Sequence, residues 1–154
     1  MIKLALVGYG YWGPNLLRNF EKLKDCKIDY VIDNDNSKLH NAKKIYSTLN
    51  TSTSIDDVLD NPEIDAIIVA TPVLTHFSIA KKALEKRKHV LLEKPMTDSV
   101  EKAQQLVELA KKNDLILMVD HTYLYTGAVK KLKELITNEQ FGEINYIDSI
   151  RSNL

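Results

Sequence analysis

The stretch Val7-Gly8-Tyr9-Gly10-Tyr11-Trp12-Gly13-Pro14 constrains this chain more than any other. The apolar run 2–7 leads into it, and Asn15-Leu16-Leu17-Arg18-Asn19-Phe20, which reads as helix, leads away. A G-x-G-x-x-G pattern is weak by itself. Between a strand and a helix it becomes a dinucleotide-binding fingerprint. Gly8 lets the chain turn sharply off the strand, Gly10 lets backbone approach a pyrophosphate, and Gly13 lets the helix pack closely on the sheet. The helix N-terminus offers N–H groups and the positive end of a dipole to phosphates, and Pro14 is tolerated in a first helical turn. Three of the chain's five glycines fall in this stretch, so the flexibility is concentrated where a ligand would need it.

The bulk composition narrows the partners. With 154 residues, 44% of them hydrophobic, the chain can bury a real core and is not of disordered composition. Lysine plus arginine (21) balance aspartate plus glutamate (21), so no global field draws in nucleic acid or an anionic membrane, and neither is expected as a partner. The single cysteine, Cys26, cannot form an internal disulfide; it reads as a small apolar filler compatible with a reducing compartment. No secretory leader and no apolar run of membrane-spanning length is recognisable, so a cytoplasmic location is expected. His40, His76, His89 and His121 show no metal-ligand spacing, and no metal site is expected.

Strand and helix patterns alternate through the first 121 residues. Nearly continuous apolar runs at 2–7, 28–32, 66–70, 89–92 and 115–119 have the composition of parallel strands covered on both faces. Between them lie helical patterns: one to about Lys24, one over 37–45, a short capped one at 54–59, one after a Thr75 cap, and one from the Asp98-Ser99-Val100-Glu101 capping pattern to about Lys112. Asn50-Thr51-Ser52-Thr53 reads as a polar connection. The charges of Lys81, Lys82, Glu85, Lys86, Arg87 and Lys88 read as a solvated helix face, since no aromatics interleave them. The whole implies an α/β fold with a doubly wound, mostly parallel sheet.

Functional candidates gather at the carboxyl ends of these strands, where open parallel sheets bind ligands. Asp33 ends the second apolar run, 20 positions after Gly13, where a fingerprint acid should sit. A carboxylate there can accept hydrogen bonds from an adenosine ribose and would repel a 2′-phosphate, which favours NAD over NADP. The neighbouring Asn34, Asp35 and Asn36 supply no arginine for such a phosphate, although Lys38 is a nearby cation. Ala70-Thr71-Pro72, with Thr75-His76, follows the 66–70 run, and Glu93-Lys94-Pro95 follows 89–92. A lysine placed like Lys94 can hydrogen-bond a substrate hydroxyl and stabilise charge as hydride leaves carbon. It can equally be the partner of an ion pair with Glu93 or another acid. His76 and His121 can be proton-transfer groups or merely hydrogen-bonded residues of a cleft.

After residue 122 the pattern changes. Ala128, Val129, Leu132, Leu135 and Ile136 mark a further amphipathic helix, and 143–150 alternates polar and apolar like a half-exposed strand of an antiparallel sheet. The expected division is 1–122 for the dinucleotide-binding domain and 123–154 for a connecting helix plus the first strand of another domain. Unpaired edges and the apolar Ile144 and Tyr146 on that strand would suit pairing with a second copy, a route to a homo-oligomer.

Taken together, Gly8-Tyr9-Gly10-Tyr11-Trp12-Gly13, Ala70-Thr71-Pro72 with Thr75-His76, Glu93-Lys94-Pro95 and Asp120-His121, in this order and spacing, resemble the amino-terminal Rossmann domain of the glucose–fructose oxidoreductase / inositol dehydrogenase (Gfo/Idh/MocA) family. The resemblance covers residues 1 to about 152, and its tail is similar to members acting on nucleotide-linked sugars. It implies a pyrophosphate loop of Gly8, Gly10, Tyr11, Trp12 and Gly13, a ribose acid at Asp33, and a wall beside the cofactor of Ala70, Thr71, Pro72 and His76. It further implies Glu93 and Lys94 near the nicotinamide and its ribose, with Lys94 catalytic, and His121 lining the same cleft. Two positions depart from the usual family pattern: Arg87 and Asp120 stand where many members have glycine. The family also carries a second α/β domain that holds the substrate pocket. A chain that lacks it would bind cofactor with little turnover, whether shortened or naturally short. The implied activity is hydride transfer between nicotinamide and a hydroxyl carbon of a sugar, nucleotide sugar or cyclitol. The alternative is a stand-alone NAD-binding sensor or partner module.

Overall fold

The computed structural model describes residues 1–138, 142–150 and 152. It divides into two units, Met1–Asp120 and His121–Leu154. In the first unit six parallel strands, β1 (Ile2–Val7), β2 (Cys26–Ile32), β3 (Asn50–Ser52), β4 (Ala66–Val69), β5 (His89–Leu92) and β6 (Leu117–Val119), form one sheet in the order β3-β2-β1-β4-β5-β6. The helices are α1 (Gly13–Phe20), α2 (Asn36–Ile45), α3 (Asp56–Leu59), α4 (Val73–Glu85) and α5 (Val100–Lys112). The expected doubly wound α/β sheet is present.

Strand periodicity explains the double winding. Successive side chains of a strand point to opposite faces, and here both faces are covered. Leu4 and Leu6 of β1 and Ile68 of β4 join Leu17 of α1 and Leu39 and Ala42 of α2 in one core. Ala5 and Val7 of β1 and Ile67 and Val69 of β4 join Ala80, Ala83 and Leu84 of α4 and Leu106 and Ala110 of α5 in the other. Strands walled by helices on both faces have no polar side, hence the unbroken apolar runs.

Several local expectations need correction. The polar 50–53 segment contains strand β3: as an edge strand pairing only with β2, it needs no apolar face. α1 ends at Phe20 rather than near Lys24. α4 starts at Val73, and Pro72, extended at ψ 142, precedes it as the N-cap. Thr75 is therefore inside the first turn, where its Oγ1 donates to the Pro72 carbonyl at 2.7 Å. The Ser99 cap of α5 stands, its hydroxyl accepting from the Lys102 N–H at 3.3 Å. Lys88 does not belong to a solvated face. It is 7% exposed, and its ammonium donates to the carbonyls of Asn61 and Ile64, each at 2.7 Å. Burial pushes its pKa below the ordinary lysine value.

Arg87 and Asp114 solve the same problem at two helix ends. At α4, the Arg87 N–H donates to Leu84 O and the Lys88 N–H to Ala83 O; at α5, Asp114 donates to Lys111 O and Leu115 to Ala110 O. Both are Schellman endings whose turning residue needs positive φ, here 62° at Arg87 and 55° at Asp114. Arg87 is thus a non-glycine residue in a glycine position. Its guanidinium meets the Asn113 carbonyl at 2.8 Å, which ties the two helix ends together. We expect Arg87→Gly to raise stability slightly, by about 0.5 kcal/mol, and Arg87→Val to lower it by about 1 kcal/mol or more. Urea midpoints of the two variants in opposite directions from the parent would check this.

The second unit contains a 3-10 turn (Thr122–Tyr125) and α6 (Gly127–Thr137). Among its described residues, 142–150 form no ladder, so the strand expected at 143–150 is not formed. A strand is completed by the hydrogen bonds of a neighbour, and none of the described strands pairs with this segment. Within it Tyr146, Ile147 and Ile150 are exposed.

Candidate functional site

The site follows from strand order. β1 is succeeded in space by β2 on one side and β4 on the other, so the connections leaving β1 and β4 diverge and open a crevice between them. The ladder continues one residue past the strands. Asp33 N–H donates to Ser52 O, Gly8 to Ile32 O, Ala70 to Val7 O, Glu93 to Val69 O and Asp120 to Leu92 O. These bonds set Asp33, Gly8, Ala70, Glu93 and Asp120 in a row along one sheet edge, a strand spacing apart.

A cavity of about 670 Å³ lies over the first part of this row. Gly8, Gly10, Tyr11, Trp12, Asp33, Ala70, Thr71 and Pro72 all line it, so most of the expected cofactor residues share one space. Asn34, Lys38, Thr53, Ile55, Thr75 and Ile79 line it as well. Of these, Lys38 and Thr75 carry a reading in the sequence, Lys38 as a cation near Asp33 and Thr75 as a helix cap within the Thr75-His76 motif. Thr53 and Ile55 follow the polar edge strand, which has no apolar signature, and Ile79 looks like any core position of a helix.

The glycine loop divides its labour. Gly8 has φ 99°, and a Cβ there would stand 2.6 Å from the Ala70 carbonyl oxygen. A Cβ at Gly13 would collide with the Gly8 carbonyl oxygen, so Gly13 is needed by its own loop rather than by the sheet. At Gly10 a Cβ would meet nothing of the protein within 4 Å. The open space at Gly10 faces the cavity and is where a ligand can approach the backbone. Among the described residues no side chain caps α1, and Pro14 stands in its first turn. The unclaimed N–H groups of that terminus suit a pyrophosphate. Tyr11 and Trp12 stack on each other with ring centroids 5.9 Å apart.

Asp33 is 8% exposed and holds the loop in place. Its Oδ2 accepts from the Tyr9 N–H at 2.7 Å, and its Oδ1 accepts from the Asp35 N–H at 2.9 Å and lies 3.4 Å from Lys38 Nζ. It is an organiser of the site as well as a lining group. Removing the carboxyl would strand the buried Tyr9 N–H. Asp33→Ala is therefore expected to lower stability by roughly 1–3 kcal/mol, whereas Asp33→Asn, which keeps an acceptor oxygen, should lose less. Equal losses in urea titrations would remove Tyr9 from the explanation.

His76 lies behind the wall and does not line the cavity. It is 1% exposed; Nε2 is 2.8 Å from the Thr71 carbonyl and Nδ1 is 3.0 Å from the Pro95 carbonyl. The ring fills the space between the 71–72 turn and the 93–95 turn, with a carbonyl oxygen at each nitrogen. Lys94 is exposed and makes no ion pair among the described residues, so the alternative of a Lys94–Glu93 bridge is not realised. Glu93 is 6% exposed; its Oε2 accepts from the Lys94 N–H at 3.2 Å, while its Oε1 is buried without a partner. Burial first, and the charge of Asp120 second, push its carboxyl up to about 7. His121 heads the second unit, exposed, as the N-cap of the 3-10 turn.

A parallel sheet with a glycine loop at its crossover, an uncapped helix behind it and an acid ending the next strand defines a nucleotide-cofactor-binding α/β domain. The chain belongs to the Gfo/Idh/MocA oxidoreductase family: a family model described as an oxidoreductase family with an NAD-binding Rossmann fold matches residues 2–121. An uncharacterized oxidoreductase of Streptococcus pneumoniae is 31% identical over 152 residues, spanning 99% of this chain and 41% of the relative. A 2,7-anhydro-N-acetylneuraminate hydratase of Escherichia coli is 32% identical over 144 residues, spanning 94% of this chain and 38% of the relative. The crystal structure of an NAD-binding protein from Listeria innocua superposes with a TM-score of 0.82 at 28% identity, covering 92% of this chain and 42% of that one. The chain therefore spans about two-fifths of the length of these relatives. Among the described residues no helix is long and apolar enough to cross a membrane.

Proposed function

We propose that this chain is the cofactor-binding part of an oxidoreductase that moves hydride between NAD and a hydroxyl-bearing carbon of a sugar, nucleotide-linked sugar or cyclitol. The observation that carries the reading is the row of strand ends: Asp33, the glycine loop, then Ala70–Pro72, then Glu93–Lys94. A dinucleotide laid across the crossover with its adenosine at Asp33 and its pyrophosphate over Gly10 extends towards Lys94. When bound, the nicotinamide would supply the hydride acceptor or donor. Lys94, exposed and without an ion pair among the described residues, would then hold the substrate hydroxyl and take up or return its proton. Pro95, whose carbonyl packs against the buried His76 ring, limits the movement of the turn that carries Lys94. The role of His121 rests on the family resemblance.

The preference for NAD over NADP follows from Asp33, whose carboxylate would repel a 2′-phosphate. Lys38, so close to Asp33, opposes that preference in part. The relative named a hydratase supports a sugar-derived substrate and indicates that net chemistry in this family extends beyond oxidation. The reading further places the chain in the cytoplasm and pairs two copies through 143–152; a monomer at every concentration in light scattering would contradict the pairing. The alternative is an NAD-binding sensor or partner module without turnover, which NADH production would exclude. With NAD and a panel of sugars, nucleotide sugars and cyclitols, we expect absorbance at 340 nm to rise at most marginally with this chain alone. Production of NADH at an ordinary enzymatic rate would overturn the expectation of little turnover and exclude the sensor.

A further inference from the structure

Glu93 and Asp120 end adjacent strands, β5 and β6, whose register pairs Leu92 with Val119. The Asp120 N–H donates to the Leu92 carbonyl at 2.8 Å, so the two acids are held side by side by backbone. Glu93 is more than nine-tenths buried, and among the described residues its Oε1 has no hydrogen-bond partner. The charged groups that face it are Asp120, from the end of β6, and Lys94, next in the chain. The buried His76 of α4 is turned to the Thr71 and Pro95 carbonyls. A buried carboxyl beside a second acid holds its proton more firmly than an exposed one. For Glu93 the midpoint lies at about 7.

The oxidised nicotinamide ring is a cation, and the reduced ring is neutral. We propose that the Glu93–Asp120 pair makes the choice between the two forms of the cofactor depend on pH, the ionised pair favouring NAD+. This rests on the reading that the nicotinamide lies over the ends of β4 and β5. The sign follows from linkage: a cation beside the pair favours its ionised form, so NAD+ binding expels a proton to the buffer, and NAD+ affinity rises with pH through the midpoint. NADH brings no such charge and expels none. A nearby opposite charge shifts a carboxyl by one unit or more. A one-unit shift from a midpoint near 7 would strengthen NAD+ relative to NADH roughly fivefold between pH 6 and pH 8.

The test is calorimetric titration of the chain with NAD+ and with NADH at pH 6, 7 and 8. Each titration is repeated in two buffers of different ionisation enthalpy, so that released protons are counted directly. We expect the affinity ratio to move towards NAD+ with rising pH, with proton release on NAD+ binding only. Glu93→Gln should abolish both effects. Asp120→Asn, by removing the neighbouring acid, should move the midpoint to lower pH. Both cofactors binding with a constant ratio and no proton release would overturn the inference and leave the cofactor site standing, as would an unchanged pH dependence in Glu93→Gln. Failure of both to bind the parent chain would overturn the cofactor site and this inference with it. The parent's proton count stands whether or not either variant folds.

Discussion

Gly8→Ala is expected to lower the stability of this chain by about 3 kcal/mol or more. Two independent penalties combine there. The backbone sits at φ 99°, a region that a side chain disfavours by roughly 1–2 kcal/mol. The new Cβ would also stand 2.6 Å from a carbonyl oxygen and 2.9 Å from Thr71 Cγ2. The first contact is with backbone of the adjoining turn, which cannot swing aside as a flexible side chain would; such overpacking commonly costs about 1–3 kcal/mol. Gly8 lies where β1 leaves the sheet, and its N–H is bonded to Ile32 O at 2.7 Å. Relief by backbone movement would therefore break the row of strand ends. Denaturant unfolding measures the loss. A midpoint equal to the parent's would mean that the turn adapts freely and that this account of the loop is wrong.

Gly10→Ala should behave in the opposite way. Its Cβ meets nothing within 4 Å, and its φ lies outside the positive region that disfavours side chains. Stability should stay within about 0.5 kcal/mol of the parent, with a slight gain from the stiffer unfolded chain. NADH affinity should fall by roughly tenfold to a hundredfold, as expected for a methyl group forced into a close backbone–ligand contact. The pair separates two reasons for a glycine, one internal to the protein and one owed to a ligand. If Gly10→Ala bound NADH as tightly as the parent, the pyrophosphate would not pass over Gly10.

The sheet was legible in the sequence because its strands are covered on both faces, so their apolar runs are nearly unbroken. β3 was not, because an edge strand with a single partner keeps polar residues. The loop glycines and Asp33 were legible through their spacing, but spacing could not reveal that Asp33 is occupied with the Tyr9 N–H or that Gly13 is required by Gly8. The family resemblance assigns His76 to the cofactor wall; the fold turns both ring nitrogens to carbonyls behind that wall. Arg87 was visible as a departure from glycine, yet its cause, a positive φ at a Schellman ending, is a property of three dimensions. The alternation at 143–150 is a true strand signal in period, but period alone provides no neighbour to pair with.

We propose that the cavity between the glycine loop, Asp33 and the Ala70–Pro72 turn holds NAD. The deciding measurement is calorimetric titration of the purified chain with NADH and, separately, with NADPH. We expect saturable one-to-one binding of NADH and binding of NADPH weaker by tenfold or more, the difference set by Asp33 against a 2′-phosphate. A preference for NADPH would contradict the role of Asp33 and assign that end of the cavity to Lys38. Binding of neither would contradict the claim itself.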